Sequence, residues 1–299
     1  MCNILTDPFS MPKSTPKPLK TLTAVVEKIA VKKSTQKISK QSEKKVVSKT
    51  AKKGAVKKAA KKVVSKSEPK SALVKNANFQ KALTLHHQGK LPEAWALYQA
   101  TLKLDPKHFS AVHHMGLIAI QQQSYEMAVD LFKIAADIEP KNPSVYNNLA
   151  NAYLKLGKTD LALKYYDSVL SLDGFHLDGL KNRAILLSST RQYAKALADL
   201  AVAIKRYPRA LDLYATIASI YIAQGSHSEA LSAYKKALAL DPHHPILNNN
   251  YGVLLCTLKQ YADAKIYLTK AIKAKKNYTQ ALNNRAVASL HLNQASEAR

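Results

Sequence analysis

Cysteine is nearly absent, with only Cys2 and Cys256 in the chain, too few for a disulfide framework or a thiolate metal motif. Cys256 falls inside a helical pattern and reads as a small core residue. No apolar run approaches the ~18 residues that a membrane-spanning helix needs. The residues ahead of Lys13 lack both a basic start and an apolar core, which argues against a secretory signal. Arginine is missing from the first 75 residues, which argues against an organelle transit peptide. A reducing cytoplasm is the expected location. Acidic residues are scarce, 20 against 46 Lys and Arg, for a net charge of +26. No Ser–His–Asp set, phosphate loop or carboxylate pair stands out. The chain as given is therefore expected to be non-catalytic and to need no cofactor or metal.

What is there divides unevenly. Residues 1–75 hold 20 Lys and 4 acidic residues, a net +16, and the remainder carries +10. In that first stretch Phe9 is the only aromatic and Gly54 the only glycine. So little apolar area cannot offset chain ordering at ~1–2 kcal/mol per residue, and residues 1–74 are expected to be a disordered tail. Leu19, Leu22, Val25, Val26 and Ile29 allow at most a transient helix. The tail repeats KKVVSK at Lys44–Lys49 and Lys61–Lys66, and it is similar to the lysine-rich tails of linker histones and bacterial histone-like proteins. Lys44, Lys45, Lys52, Lys53, Lys57, Lys58, Lys61 and Lys62 are its candidate polyanion contacts. Such ammonium groups neutralise phosphates without reading bases. A passive solvated tail and an anionic membrane surface are the other readings.

From Lys75 onward one unit recurs, seen most clearly in Pro143–His176. Two amphipathic patterns of helical period flank Gly157-Lys158-Thr159-Asp160. Gly157 suits a left-handed residue after the first helix, and Asp160 is placed to cap the second. In steps of 34, Ala94 is followed by Ala128, Ala162, Ala196, Ala230, Ala264 and Ala298. Ala82, Gly116, Ala150, Ala184, Ala218, Gly252 and Ala286 form a second small beat, and Tyr98, Phe132, Tyr166, Leu200, Tyr234 and Leu268 a bulky one. Pro106, Pro140, Gly174, Pro208, Pro242 and Lys276 close the second helices. Small residues let two helices cross closely, and the bulky beat fills the space between hairpins.

This small–Ala–aromatic–Pro signature resembles the tetratricopeptide repeat (TPR). The resemblance implies an all-α, right-handed superhelical solenoid over residues 75–299. Its repeats are Lys75–His108, Phe109–Asn142, Pro143–His176, Leu177–Ala210, Leu211–His244 and Pro245–Tyr278, with a partial seventh from Thr279. It also implies a non-catalytic scaffold whose first helices line a concave groove for an extended segment of a protein partner.

One beat on those first helices carries Asn148, Asn182, Asn250 and Asn284, with Gln80, His114 and Thr216 at the equivalent places. An exposed amide donates and accepts together, so it can hold a peptide backbone of any sequence. Asn147, Asn151 and Lys181 flank the row. The row resembles the asparagine ladder of O-linked N-acetylglucosamine transferases and their SPINDLY-like relatives. That likeness implies an alternative, the substrate-binding part of a larger glycosyltransferase; a third reading is a nucleic-acid-associated adaptor acting through the tail. Lys181 is followed one turn later by Ile185, which argues against a carboxylate clamp. His86-His87 and His113-His114 read as groove or helix-end residues, because adjacent histidines point to different faces. Thr279–Asn293 is expected as the first helix of repeat seven and Ala295–Arg299 as the opening of its second, the chain being read as the front part of a longer protein.

Overall fold

The structure, a computed structural model, describes residues 70–297, so the tail readings at residues 1–69 lie outside the described residues. Among the described residues it is all helical, with 13 helices and no strand. Among the described residues, those up to His108 and those from Phe109 onward form two compact units. The first contains α1 (Lys70–His87) and α2 (Leu91–Leu104). α1 begins ahead of the expected Lys75, because Pro69 precedes it in the sequence and Ala72 and Leu73 extend the helix at little cost. Within this unit Lys75 pairs with Asp105 at 3.1 Å, and Phe79 lies against Tyr98 and His108.

The second unit runs through α3 (Phe109–Gln121), α4 (Tyr125–Ile138), α5 (Pro143–Lys155), α6 (Thr159–Leu172), α7 (Leu177–Ser189) and α8 (Tyr193–Arg206). It continues with α9 (Leu211–Gln224), α10 (His227–Leu240), α11 (Pro245–Thr257), α12 (Tyr261–Ala274) and α13 (Thr279–Glu297). From α4 onward each helix packs on the one before it, and α7 also meets α9, as α11 meets α13. No pair of second helices approaches as closely among the described residues. First helices of neighbouring repeats thus meet directly at these two places.

The beats explain this packing. Ala94, Ala128, Ala162, Ala196, Ala230 and Ala264 are all fully buried. Tyr98, Phe132, Tyr166, Leu200, Tyr234 and Leu268 are buried too. A Cβ on Gly116 would stand 2.5 Å from the Phe132 ring, and one on Gly252 2.7 Å from Leu268. Every second helix that precedes a Pro, Gly174 or Lys276 stops two residues before that beat.

The turn inside each hairpin is also registered. Gly89, Gln123, Gly157, Arg191, Gly225 and Lys259, spaced by 34, all have φ between +58° and +85°. The next residue's N–H reaches back to close the helix end, as from Lys158 to the Tyr153 carbonyl at 2.9 Å. A side chain in this conformation costs ~1–2 kcal/mol, so three of the six turns hold theirs against local strain. Asp160 does not cap α6: Lys158 is the N-cap residue, without a side-chain bond, and Asp160 sits in the first turn. There its charge favours the helix dipole instead. Side-chain caps occur where helices enter from the longer connections, at Asn142, His176 and His244.

One expectation for the last repeat fails. α13 is unbroken from Thr279 to Glu297, so no second helix starts at Ala295. Extending an existing helix is easier than nucleating a new one over a few residues. Ala286, although on the small beat, is exposed.

Candidate functional site

The amide row sits on the first helices as expected, but its chemistry differs from the expectation. Asn148, Asn182, Asn250 and Asn284 are half-buried rather than exposed. Asn182 donates from Nδ2 to Asn147 Oδ1 of the preceding first helix at 3.1 Å, and Asn284 does the same to Asn249 at 3.1 Å. Asn148 donates to His113 Nε2 at 2.9 Å. These three bonds join residues 35 apart, so each ties one beat residue to the neighbour of the previous one. Asn147 and Asn249 are buried, and their carbonyl oxygens need that donor. The row is thus partly a staple between repeats. Asn148, Asn182 and Asn284 each direct an N–H inward and keep a side-chain oxygen as acceptor, whereas Asn250 accepts from Asn249 Nδ2 at 3.2 Å.

Asn151 takes part in the same network, accepting from the Tyr166 hydroxyl while Asn182 approaches it at 3.5 Å. Burial pushes the Tyr166 phenol well above its ordinary range. The staple is replaced in the middle of the array, where Thr216 bonds its own Asp212 carbonyl at 2.7 Å. There Lys181 crosses to Asp212 at 2.8 Å, and this pair raises the lysine's pKa. His114 donates from Nδ1 to the Ser110 carbonyl at 2.7 Å.

His113 makes the row sensitive to pH. Burial first, and then the neighbouring His114, depress its pKa from 6.5 to about 4, with Glu139 opposing. The neutral ring accepts from Asn148; a protonated ring would present N–H to NH2. The unfolded chain binds this proton more readily, so its contribution is full above the ordinary pKa and is lost as pH falls toward about 4. His113→Gln keeps an acceptor and removes the titration. Its loss of stability between pH 7.5 and 4.5 in urea unfolding is expected to be smaller than the native protein's by about 2 kcal/mol. Equal losses would show that His113 does not titrate in this range.

The sequence reading missed a row of aliphatic side chains beside the amides. Ile185, Val253 and Val287 lie three residues after the amide beat and are 47, 39 and 40% exposed. Ile222 and Leu290, six residues after it, are 38 and 57% exposed. Their signal was available: they are apolar residues on first helices that fall on none of the packing beats.

Elsewhere, a crevice of about 350 Å³ is lined by Leu163, Asp167, Arg183, Leu187, Gln192, Lys195, Ala198 and Asp199. Its charges satisfy one another. Arg183 is bidentate to Asp199 at 2.6 and 2.8 Å and reaches Asp167 at 2.6 Å. Those two carboxylates, Asp199 first, raise the guanidinium pKa further. His86 lies 3.4 Å from the Tyr98 hydroxyl, and His87 is exposed. No group of three metal-ligating side chains occurs among the described residues.

Registered helical hairpins with one polar–aliphatic surface along their first helices define an α-helical repeat scaffold. Tetratricopeptide and TPR repeat models match residues 116–157, 143–176, 181–245 and 221–282, and the chain belongs to the tetratricopeptide-repeat family. It is 26% identical over 164 residues to the BBSome complex member BBS4 of Bos taurus, across 55% of this chain and 32% of that protein. It is 26% identical over 209 residues to the mitochondrial import receptor subunit TOM70 of Homo sapiens, across 67% of this chain and 33% of the receptor. The human protein O-mannosyl-transferase TMTC3 is 22% identical over 72% of this chain and 21% of its own length. The chain thus spans a third or less of these relatives. The type IV pilus biogenesis factor PilW shares the fold with a TM-score of 0.62 at 20% identity, over 70% of this chain and 97% of that one. In the APC/C hetero-tetramer Cut9–Hcn1 the TM-score is 0.58 at 15% identity, over 73% and 45%. Protein interaction is the general role of such scaffolds. No helix among the described residues is long and apolar enough to cross a membrane.

Proposed function

We propose that the first helices of the second unit hold an extended, uncharged, aliphatic-rich segment of a protein partner, without catalysis by this chain. The observation that carries this reading is the register of two rows. Half-buried amides that donate inward (Asn148, Asn182, Asn284) run beside exposed aliphatics (Ile185, Val253, Val287) at the same 34-residue spacing. Backbone N–H groups of a bound segment would meet the amide oxygens, and alternate side chains would meet the aliphatic row. A cytoplasmic location fits this role.

The similarity to TMTC3 over most of the chain favours one second reading, in which the same groove presents a protein substrate to the transferase part of a larger glycosyltransferase. Both readings share the groove. Peptides selected from a random displayed library against the full chain test it directly. Val253→Glu with Val287→Glu alters two exposed positions and should leave the helical signal and melting unchanged. Affinity for the selected peptides is expected to fall at least tenfold, about 1.4 kcal/mol. Undiminished affinity would place the site on another surface.

A further inference from the structure

Positive charge in the second unit is concentrated in its later repeats. Residues 109–176 contain 5 lysines, no arginine and 7 acidic residues, whereas residues 177–278 contain 15 basic and 6 acidic ones. The densest part is α12 with its flanking turns, where Lys259, Lys265, Lys270, Lys273, Lys275 and Lys276 face a single acidic residue, Asp263. All six lysines are exposed, as are Lys235 and Lys236 on α10. Lys236 and Lys270 share the 34-residue beat, so they hold equivalent places on the second helices of successive repeats. Ion pairs in this unit, among the described residues, use only Lys181 and Arg183. Lys270 and Lys275 rest over the Tyr267 and Tyr278 rings at 4.7 and 5.0 Å. Helix-dipole stabilisation accounts for Lys273, in the last turn of α12, and not for Lys265 or Lys270.

We propose that the lysine surface of α10 and α12 is a contact for the phosphate backbone of duplex nucleic acid. Its basic residues are lysines throughout. They are point charges that neutralise phosphates, without the guanidinium fork that grips carboxylates or reads base edges. The aromatic rings nearby are not open to unstacked bases. Tyr261 is stacked on His291 at 4.7 Å, while Tyr267 is half-buried and Tyr278 buried. That disfavours a single strand, which binds by stacking. Ile266 on α12 and Leu240 at the end of α10, 53 and 41% exposed, are the large aliphatics that stand out of the two helices, too little to seat in a bilayer or hold an amphipathic acidic helix. The surface lies on second helices, so it leaves the groove of the first helices open.

The test uses the full chain and a labelled 30-base-pair duplex of arbitrary sequence, with affinity followed against salt. Lys265, Lys270, Lys273 and Lys276 are changed together to Gln, and a matched control changes the exposed Lys141, Lys155, Lys158 and Lys164. Any contribution from residues 1–69 is common to all three proteins. The α12 quartet is expected to weaken binding at 50 mM salt by at least ~10-fold and to make the slope of log K against log salt shallower by ~2–4, at ~0.9 per phosphate contact. The control quartet should change the slope by less than ~1 on the same scale. Equal slopes for the two quartets overturn the proposal. It is overturned as well if phosphatidylserine vesicles or poly-glutamate bind more tightly than duplex at the same salt and depend on the same α12 lysines; those results assign the surface to a membrane or to an acidic protein.

Discussion

Arg183→Ala is expected to destabilise the protein by about 2–4 kcal/mol in urea unfolding, because it strands a carboxylate out of water. Asp199 is buried, and its only strong partner is the bidentate guanidinium. Asp167 is 57% exposed at its side chain, so its release adds little. Two repeats earlier the same two beats hold Met115 and Leu131, both buried. Arg183→Met combined with Asp199→Leu therefore restores an apolar pair that this architecture already accepts. The double variant is expected to return to within ~1.5 kcal/mol of the native protein, as volume-conserving swaps do. A neutral single variant would show that the ion pair contributes nothing. A double variant as unstable as the single one would show that repeat four cannot take the packing of repeat two.

Tyr166→Ala is expected to cost about 3–5 kcal/mol, the usual range for removing a buried aromatic side chain. The ring is 1% exposed and stands on the bulky beat. Tyr166→Phe should cost only ~1 kcal/mol, since Phe132 fills the equivalent place and the change removes one hydrogen bond, to Asn151. The pair of variants separates volume from polarity by the midpoint shift in urea. If the Phe variant is as damaging as the Ala variant, the hydroxyl, and not the filling of space, holds these two helices together.

The parts of this protein that were legible in its sequence are those fixed by steric repetition. Seven alanines and seven small residues in register leave two helices only one way to cross, and the left-handed turns at Gly157 and Gly225 follow from residue type. Gln123, Arg191 and Lys259 adopt the same turn with ordinary side chains, so there the hairpin's packing overrides local preference. What was not legible depends on neighbours 35 residues away. Asparagine at one beat gives no sign of whether its amide meets solvent or the previous helix, and Asn147 and Asn249 decide that. Asp160 looked like a cap because of its side chain, but the register of the turn puts Lys158 at that position. The aliphatic row was visible in letters yet hidden by its neighbours on the packing beats.

Capture of a partner by the inner groove is the central claim, and site-specific photo-crosslinking tests it most directly. A photoreactive residue is placed at Val253 or Ile185 in the groove, or at Ile266 on the outer face, in the full chain bound to a library-selected peptide. Crosslinks to the peptide are expected at Val253 and Ile185 and not at Ile266. Crosslinks at Ile266 with none at the two groove positions would contradict the account.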